Sequence, residues 1–142
     1  MKRIRKWLIP IVCGIAVILL FQFVLLMGIV PSSSMAPTIR EGSFMIGSRI
    51  FGRLNRGDIV VFRRDNQMHV KRIVAVPGDV VYINDGDHSF TVNEPMTTAT
   101  RILTVPVGCF FVVGDNRADS LDSRYWDNPF VKQEAIEARF LV

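Results

Sequence analysis

From Leu8 to Val30 the chain runs for 23 residues without a charge, and Gln22 is its one strongly polar side chain. As a helix this stretch would be roughly 35 Å long at 1.5 Å per residue. That length crosses the hydrocarbon core of a bilayer with some tilt. Pro10 is expected in the first turn of the helix, where a proline costs little. Ahead of the run lie Lys2, Arg3, Arg5 and Lys6 with no acid among them. A cleavable secretory leader has a shorter apolar region and a small-residue cleavage site. Gly28-Ile29-Val30-Pro31 is a poor site, so an uncleaved single-pass anchor is expected. The excess of cations before the span places the N-terminus in the cytoplasm and residues 31–142 on the outer side. Two regions follow: 1–30, a basic tip and transmembrane anchor, and 31–142, an extracytoplasmic domain.

Charge then says little about partners. Without the four N-terminal cations the chain has 13 Lys+Arg against 13 Asp+Glu, so its basic pI does not argue for nucleic acid. Cys13 lies in the span and Cys109 in an apolar strand, which leaves no internal disulfide framework and no cysteine metal site. Pro10-Ile11-Val12 lacks the small residue expected before a lipidated cysteine, which argues against Cys13 as such a site.

Beyond Thr38 the pattern is that of short strands punctuated by Gly and Pro: 43–50, 58–62, 68–76, 80–84, 88–92, 101–105, 109–113 and 138–142. Asp85-Gly86-Asp87 reads as a hairpin turn. Only Val131 to Glu137 resembles a helix. The expectation is a mostly β domain, a sandwich or barrel, behind one membrane helix.

Three stretches carry chemistry. In Pro31-Ser32-Ser33-Ser34-Met35-Ala36-Pro37-Thr38, two prolines stiffen a turn rich in hydroxyls. Such a turn is either a Ser/Pro linker or a nucleophile display. In His69-Val70-Lys71-Arg72-Ile73-Val74-Ala75-Val76, alternation puts His69, Lys71, Ile73 and Ala75 on one strand face, with Val70, Arg72 and Val74 on the other. Residues 31–142 hold eleven arginines but only two lysines, Lys71 and Lys132, and Lys132 is expected in solvent. An arginine stays protonated, whereas a buried lysine loses its charge and can deprotonate a serine. Lys71 is thus a candidate base or a sheet-edge guard, and His69 is a rival base on the same face. His88, beside a turn, reads as a surface residue. The third stretch, Gly114-Asp115-Asn116-Arg117-Ala118-Asp119-Ser120-Leu121-Asp122-Ser123-Arg124, crowds polar groups behind an apolar strand. Ser120 could orient an active-site amine and Asp122 could pair with Arg124; the plain alternative is a polar turn tied by its own side chains.

Together these stretches resemble the type I signal peptidases, membrane-bound serine proteases that release exported proteins from their signal peptides. Residues 31–38 are similar to the family's nucleophile box, Gly57-Asp58-Ile59-Val60-Val61-Phe62 to the next, 70–79 to its lysine box and 114–124 to its last, in the family's order. The resemblance implies a coiled, antiparallel, barrel-like β domain with an exposed apolar surface resting on the lipid bilayer. It implies Ser34 as nucleophile and Lys71 as general base. Ser32 and the Ser34 N–H would form the oxyanion hole, Ser120 would orient Lys71, and Asp122 and Arg124 would hold the loop. Val30, Met35 and Val70 would contact substrate, forming shallow pockets for small residues at −1 and −3. No metal, cofactor or nucleic acid is implied; the partners are exported preproteins and the membrane. The boxes look bacterial, and the single anchor looks Gram-positive. Activity is expected to rise with pH as Lys71 deprotonates. Two alternatives remain: a peptidase for one client, such as a pilin or conjugation protein, and a non-catalytic membrane-tethered β domain.

Overall fold

A computed structural model describes residues 2–142, with side chains from Trp7 onward. The side chains of Lys2, Arg3, Arg5 and Lys6, on which the expected orientation rests, lie outside those described. Helix α1 spans Lys2–Leu19 and continues as one π-helical turn over Leu20–Val24. Trp7–Val24 is an 18-residue apolar helical segment, with mean hydropathy 2.5, and none of it is buried against the rest of the chain. At 1.5 Å per residue it is about 27 Å long, near the lower limit for crossing a bilayer.

Two expectations about the anchor are corrected. Pro10 lies inside α1, not in its first turn, and there it removes one backbone hydrogen bond. The helix also does not reach Val30. Leu25–Ile29 forms strand β1, which pairs antiparallel with β2 (Phe44–Ser48) from Leu25↔Ser48 to Ile29↔Phe44. The pairing hydrogen bonds win over helical propensity, and Leu26 turns towards the core while Met27 and Ile29 stay exposed. The helix end is fastened to the sheet, because the Arg49 N–H donates to the Val24 carbonyl (2.8 Å).

The remaining strands are β3 (Ile59–Arg64), β4 (Gln67–Ala75), β5 (Val80–Ile83), β6 (Phe90–Val92), β7 (Arg101–Thr104), β8 (Cys109–Val113), β9 (Phe130–Lys132) and β10 (Ile136–Phe140). They form a seven-stranded sheet, β1-β2-β10-β3-β4-β8-β9, and a three-stranded sheet, β6-β5-β7, with every pairing antiparallel. The fold is mostly β, as expected, but the larger sheet stays open at β1 and β9. The β3–β4 hairpin turns through Asp65 and Asn66, both at positive φ (49° and 62°), as a two-residue hairpin loop requires. The helix expected over Val131–Glu137 is absent. Val131 is buried in β9, Gln133–Ala135 make one 3₁₀ turn, and Ile136 opens β10. Seven residues are too few to stabilise a helix without packing, and here the apolar contacts are made by strands.

Central strand β3 is buried on both faces. Val60 and Phe62 join one core cluster with Ile73, Phe110 and Val112, while Ile59 and Val61 join another with Val30, Met35 and Met45. That explains the unbroken apolar run in place of an alternating one. A third cluster, around Val81, Ile83, Val105 and Phe111, joins the two sheets. The serine turn and the base both border this frame: Met35 is anchored in the second cluster, and Lys71 pairs with Val60 across β3 and β4.

Candidate active site

The serine turn leaves β1 through Val30 and Pro31 and closes into a 3₁₀ turn over Ser33–Met35. Met35 is fully buried (0 % exposed) and pins the turn from below. Ser34 is thereby held nearly buried, 8 % exposed, with its hydroxyl facing β4. The Lys71 amine lies 2.7 Å from Ser34 Oγ, and Ser32 Oγ lies 3.2 Å from the same oxygen. Alternation along β4 sorts the two adjacent cations as expected. Lys71 points inward, 4 % exposed, whereas Arg72 points outward and makes a two-pronged bond to Asp115 (2.7 and 2.6 Å).

Burial is the main influence on Lys71 and pushes its pKa below the usual lysine range. Asp122 acts against it, Arg124 with it and Asp119 against it, in that order of size. Desolvation disfavours the charged amine, so the site holds an amine inclined to be neutral beside a serine hydroxyl. His69 is not placed for that task. Its ring stacks on Phe62 (centroids 5.6 Å apart) and meets Trp126 edge-on (6.3 Å), and no hydrogen bond links it to Ser34. Burial and then the Lys71 charge push its pKa down as well.

The loop after β8 closes the site from the other side. The fully buried Asp122 receives hydrogen bonds from Ser120 Oγ (2.7 Å), the Gly114 N–H (3.0 Å) and Arg124 (2.9 and 3.0 Å). Arg124, 5 % exposed, also donates to the Arg117 carbonyl (3.0 Å). The Asp122–Arg124 ion pair expected from the sequence is present (2.9 Å). The Ser120 hydroxyl donates to the Asp122 carboxylate, and no hydrogen bond joins it to Lys71.

A cleft of about 250 Å³ opens onto these groups, lined by Val30, Ser32, Ser34, His69, Val70 and Lys71 among others. A second, of about 350 Å³, shares Pro31, Met68 and Val70 with it and runs towards β1 and Val61. Val30 and Val70 thus face the cleft. Met35, also expected to contact substrate, does not line it: its side chain fills the core beneath the turn. His88, expected on the surface, is half-buried against Tyr125 (4.1 Å). Lys132 is exposed, as expected.

The family model for signal peptidase, peptidase S26, matches residues 2–103 and 88–142. The chain belongs to this signal peptidase family. It is similar to a signal peptidase I of Bacillus caldolyticus, 35% identical over 166 residues that cover 95% of this chain and 87% of the relative. It is also similar to signal peptidase I S of Bacillus subtilis, 32% identical over 94% of this chain and 85% of that one. A third relative is named "Inactive signal peptidase IA" of Staphylococcus aureus, 36% identical over 90 residues, 61% of this chain. The chain spans about half the length of that relative (52%). A signal peptidase I crystal structure from Enterococcus faecalis V583 aligns with 66% of this chain and 100% of that one, at 29% identity and a TM-score of 0.48.

Within this signal peptidase fold, two residues matter that the sequence did not single out. Gly114 packs against the serine turn: a Cβ there would lie 2.5 Å from the Ser34 carbonyl oxygen and closer still to Ser120 Oγ. Asn116 binds the turn twice, through its N–H to the Ser34 carbonyl (3.0 Å) and its Nδ2 to the Ser33 carbonyl (3.3 Å). Glycine after a strand is the one local signal of such a close approach. The partner segment lies some eighty residues away, so sequence alone does not name it.

Proposed function

We propose that this chain is a membrane-bound serine endopeptidase that removes N-terminal signal peptides from exported preproteins. The observation that carries this is the buried Lys71 amine 2.7 Å from the Ser34 hydroxyl, in a family of signal peptidases. Neutral Lys71 accepts the Ser34 proton as Oγ attacks the scissile carbonyl carbon. The oxyanion is received by the Ser34 N–H and the Ser32 hydroxyl, which turns from Ser34 Oγ to the new oxygen. Lys71, now protonated, gives its proton to the departing amine, which breaks the peptide bond. Water, deprotonated by Lys71, then releases the acyl group from Ser34. The Asp122 network with Ser120 and Arg124 keeps the loop in place beneath the amine. Val30 and Val70 limit the cleft to small side chains at −1 and −3, and a substrate strand fits along it as an added β-strand.

The serine turn follows the apolar helix by one short strand, which sets the site near the membrane surface, where a tethered signal peptide ends. We place residues 31–142 on the outer side of a bacterial cell membrane. We take β1 into that domain because it pairs with β2, which moves the proposed boundary from residue 31 to Leu25. A non-catalytic role is the second reading, favoured by the name "Inactive signal peptidase IA" carried by the Staphylococcus aureus relatives. The test is cleavage of a preprotein with an Ala-x-Ala site by the full chain in detergent, with the product N-terminus sequenced. Wild type and His69→Ala are expected to cut after the second alanine, while Ser34→Ala and Lys71→Ala do not. Cleavage by Ser34→Ala would sink the nucleophile assignment. An inert wild type would leave the non-catalytic role, or one dedicated client, as the function.

A further inference from the structure

We propose that Asp119 is a positioning residue of this site: its carboxylate latches the serine turn to the loop after β8 and adds a negative charge to that loop that acts on the Lys71 amine. This rests on the function proposed above. Three hydrogen bonds join Ser33 and Ser34 of the serine turn to that loop. Two of them use turn carbonyls, which any sequence supplies: the Ser34 carbonyl receives the Asn116 N–H and the Ser33 carbonyl receives Asn116 Nδ2. The third depends on side chains alone, with Ser33 Oγ donating to Asp119 Oδ2. Asp119 is held in position by its own N–H, which donates to the Asn116 carbonyl (3.1 Å). The latch therefore spans the seam between turn and loop, which together with buried Met35 holds Ser34 against Lys71 on β4.

The charge matters because of what surrounds the amine. The charged groups that act on Lys71 are Asp122, Arg124 and Asp119, all from the loop, while His69 is its titratable neighbour on β4. Asp122 and Arg124 are paired at 2.9 Å, so their effects on the amine oppose one another. Asp119 is paired with a hydroxyl and not with a cation. Asp119 is exposed, so water screens part of its charge, and what remains favours the protonated amine, against the burial that favours the neutral one. Asp119 thus adds to burial, Asp122 and Arg124 in setting how far below the ordinary lysine range the base operates, although it touches neither substrate nor Lys71.

The chain holds four lysines, Lys2, Lys6, Lys71 and Lys132, so ¹³C-lysine labelling in detergent micelles gives a spectrum in which Lys71 is assigned by its loss in Lys71→Met. Asp119→Asn keeps an acceptor for Ser33 and removes the charge. It is expected to lower the midpoint of the Lys71 titration and to move the acid limb of the cleavage profile to lower pH, with the alkaline plateau retained. Ser33→Ala and Asp119→Ala each remove the latch. Each is expected to lower kcat by about five- to tenfold, as a lost side-chain hydrogen bond does, and the double variant to lose little more. An unmoved Lys71 midpoint in Asp119→Asn overturns the charge role, and losses that multiply in the double variant overturn the latch. Because the titration needs no substrate, it decides the role of the charge even if the protein cuts no preprotein, which would overturn only the function proposed above.

Discussion

At the scale of single residues, the pair Ser34–Lys71 combines two facts that oppose each other energetically. The amine is buried, which costs stability, and it is one bond from a hydroxyl, which gives the cost a use. In the unfolded chain Lys71 is protonated up to the ordinary lysine pKa of 10.5; in the fold its pKa is lower. Between those two values the unfolded state binds more protons, so stability rises with pH, and below the folded pKa the penalty is complete. Lys71→Met is therefore expected to melt at a higher temperature than wild type at neutral pH. The gap should narrow above pH 10.5, and calorimetry across pH reads it directly. Ser32→Ala should lower kcat by about 10²–10³-fold with KM little changed, as loss of one oxyanion donor does, measured by steady-state cleavage. The burial of Lys71 was legible in the sequence because lysine is rare in residues 31–142 and sits at an inward-facing position of an apolar strand. The Ser120 contact was not legible. Which neighbour a hydroxyl bonds depends on angles that spacing does not encode, and here Ser120 donates to Asp122.

At the scale of elements, β1 shows where composition misleads. A membrane helix and an edge strand with one face on the core and the other exposed have the same apolar make-up, so Leu25–Ile29 read as more helix. Only the pairing partner Phe44–Ser48 distinguishes them, and it lies some twenty residues downstream. The strands of the central sheet were legible because their β-branched runs end in Gly, Pro or Asn turns. The 131–137 segment was not, since seven residues give no usable period. Removing residues 1–24 leaves β1 in place and is expected to give a folded domain. Removing residues 1–29 uncovers the edge of β2 and should give an aggregating one; size-exclusion chromatography and thermal melts of the two fragments separate these outcomes. The loop after β8 makes a second case. Gly114→Ala puts a methyl group against the Ser34 carbonyl and Ser120, and should cost about 1–3 kcal/mol of stability by overpacking along with most of the activity. Full activity in Gly114→Ala would show that the loop shifts freely, contrary to the tight seam described.

At the scale of the whole molecule, helix, sheet and cleft act as one device. The apolar helix ends at Val24, its last carbonyl is bonded to Arg49 of the sheet, and the serine turn follows within a few residues of β1. On the strand pair β1–β2 that leads on from the helix, Met27, Ile29 and Phe44 are exposed, an apolar surface suited to lipid. Ile29→Ser with Phe44→Ser is expected to weaken binding of the helix-free domain to lipid vesicles in a sedimentation assay without lowering its melting temperature. The catalytic proposal itself is tested most directly by the pH dependence of kcat/KM for preprotein cleavage, from about pH 5 to about pH 10, which reports the essential base of the free enzyme. Wild type and His69→Ala are predicted to share one acid limb that rises as Lys71 deprotonates, with no measurable cleavage by Lys71→Ala at any pH. An acid limb that moves or vanishes in His69→Ala, or cleavage that persists in Lys71→Ala, would contradict the assignment of Lys71 as the base for Ser34.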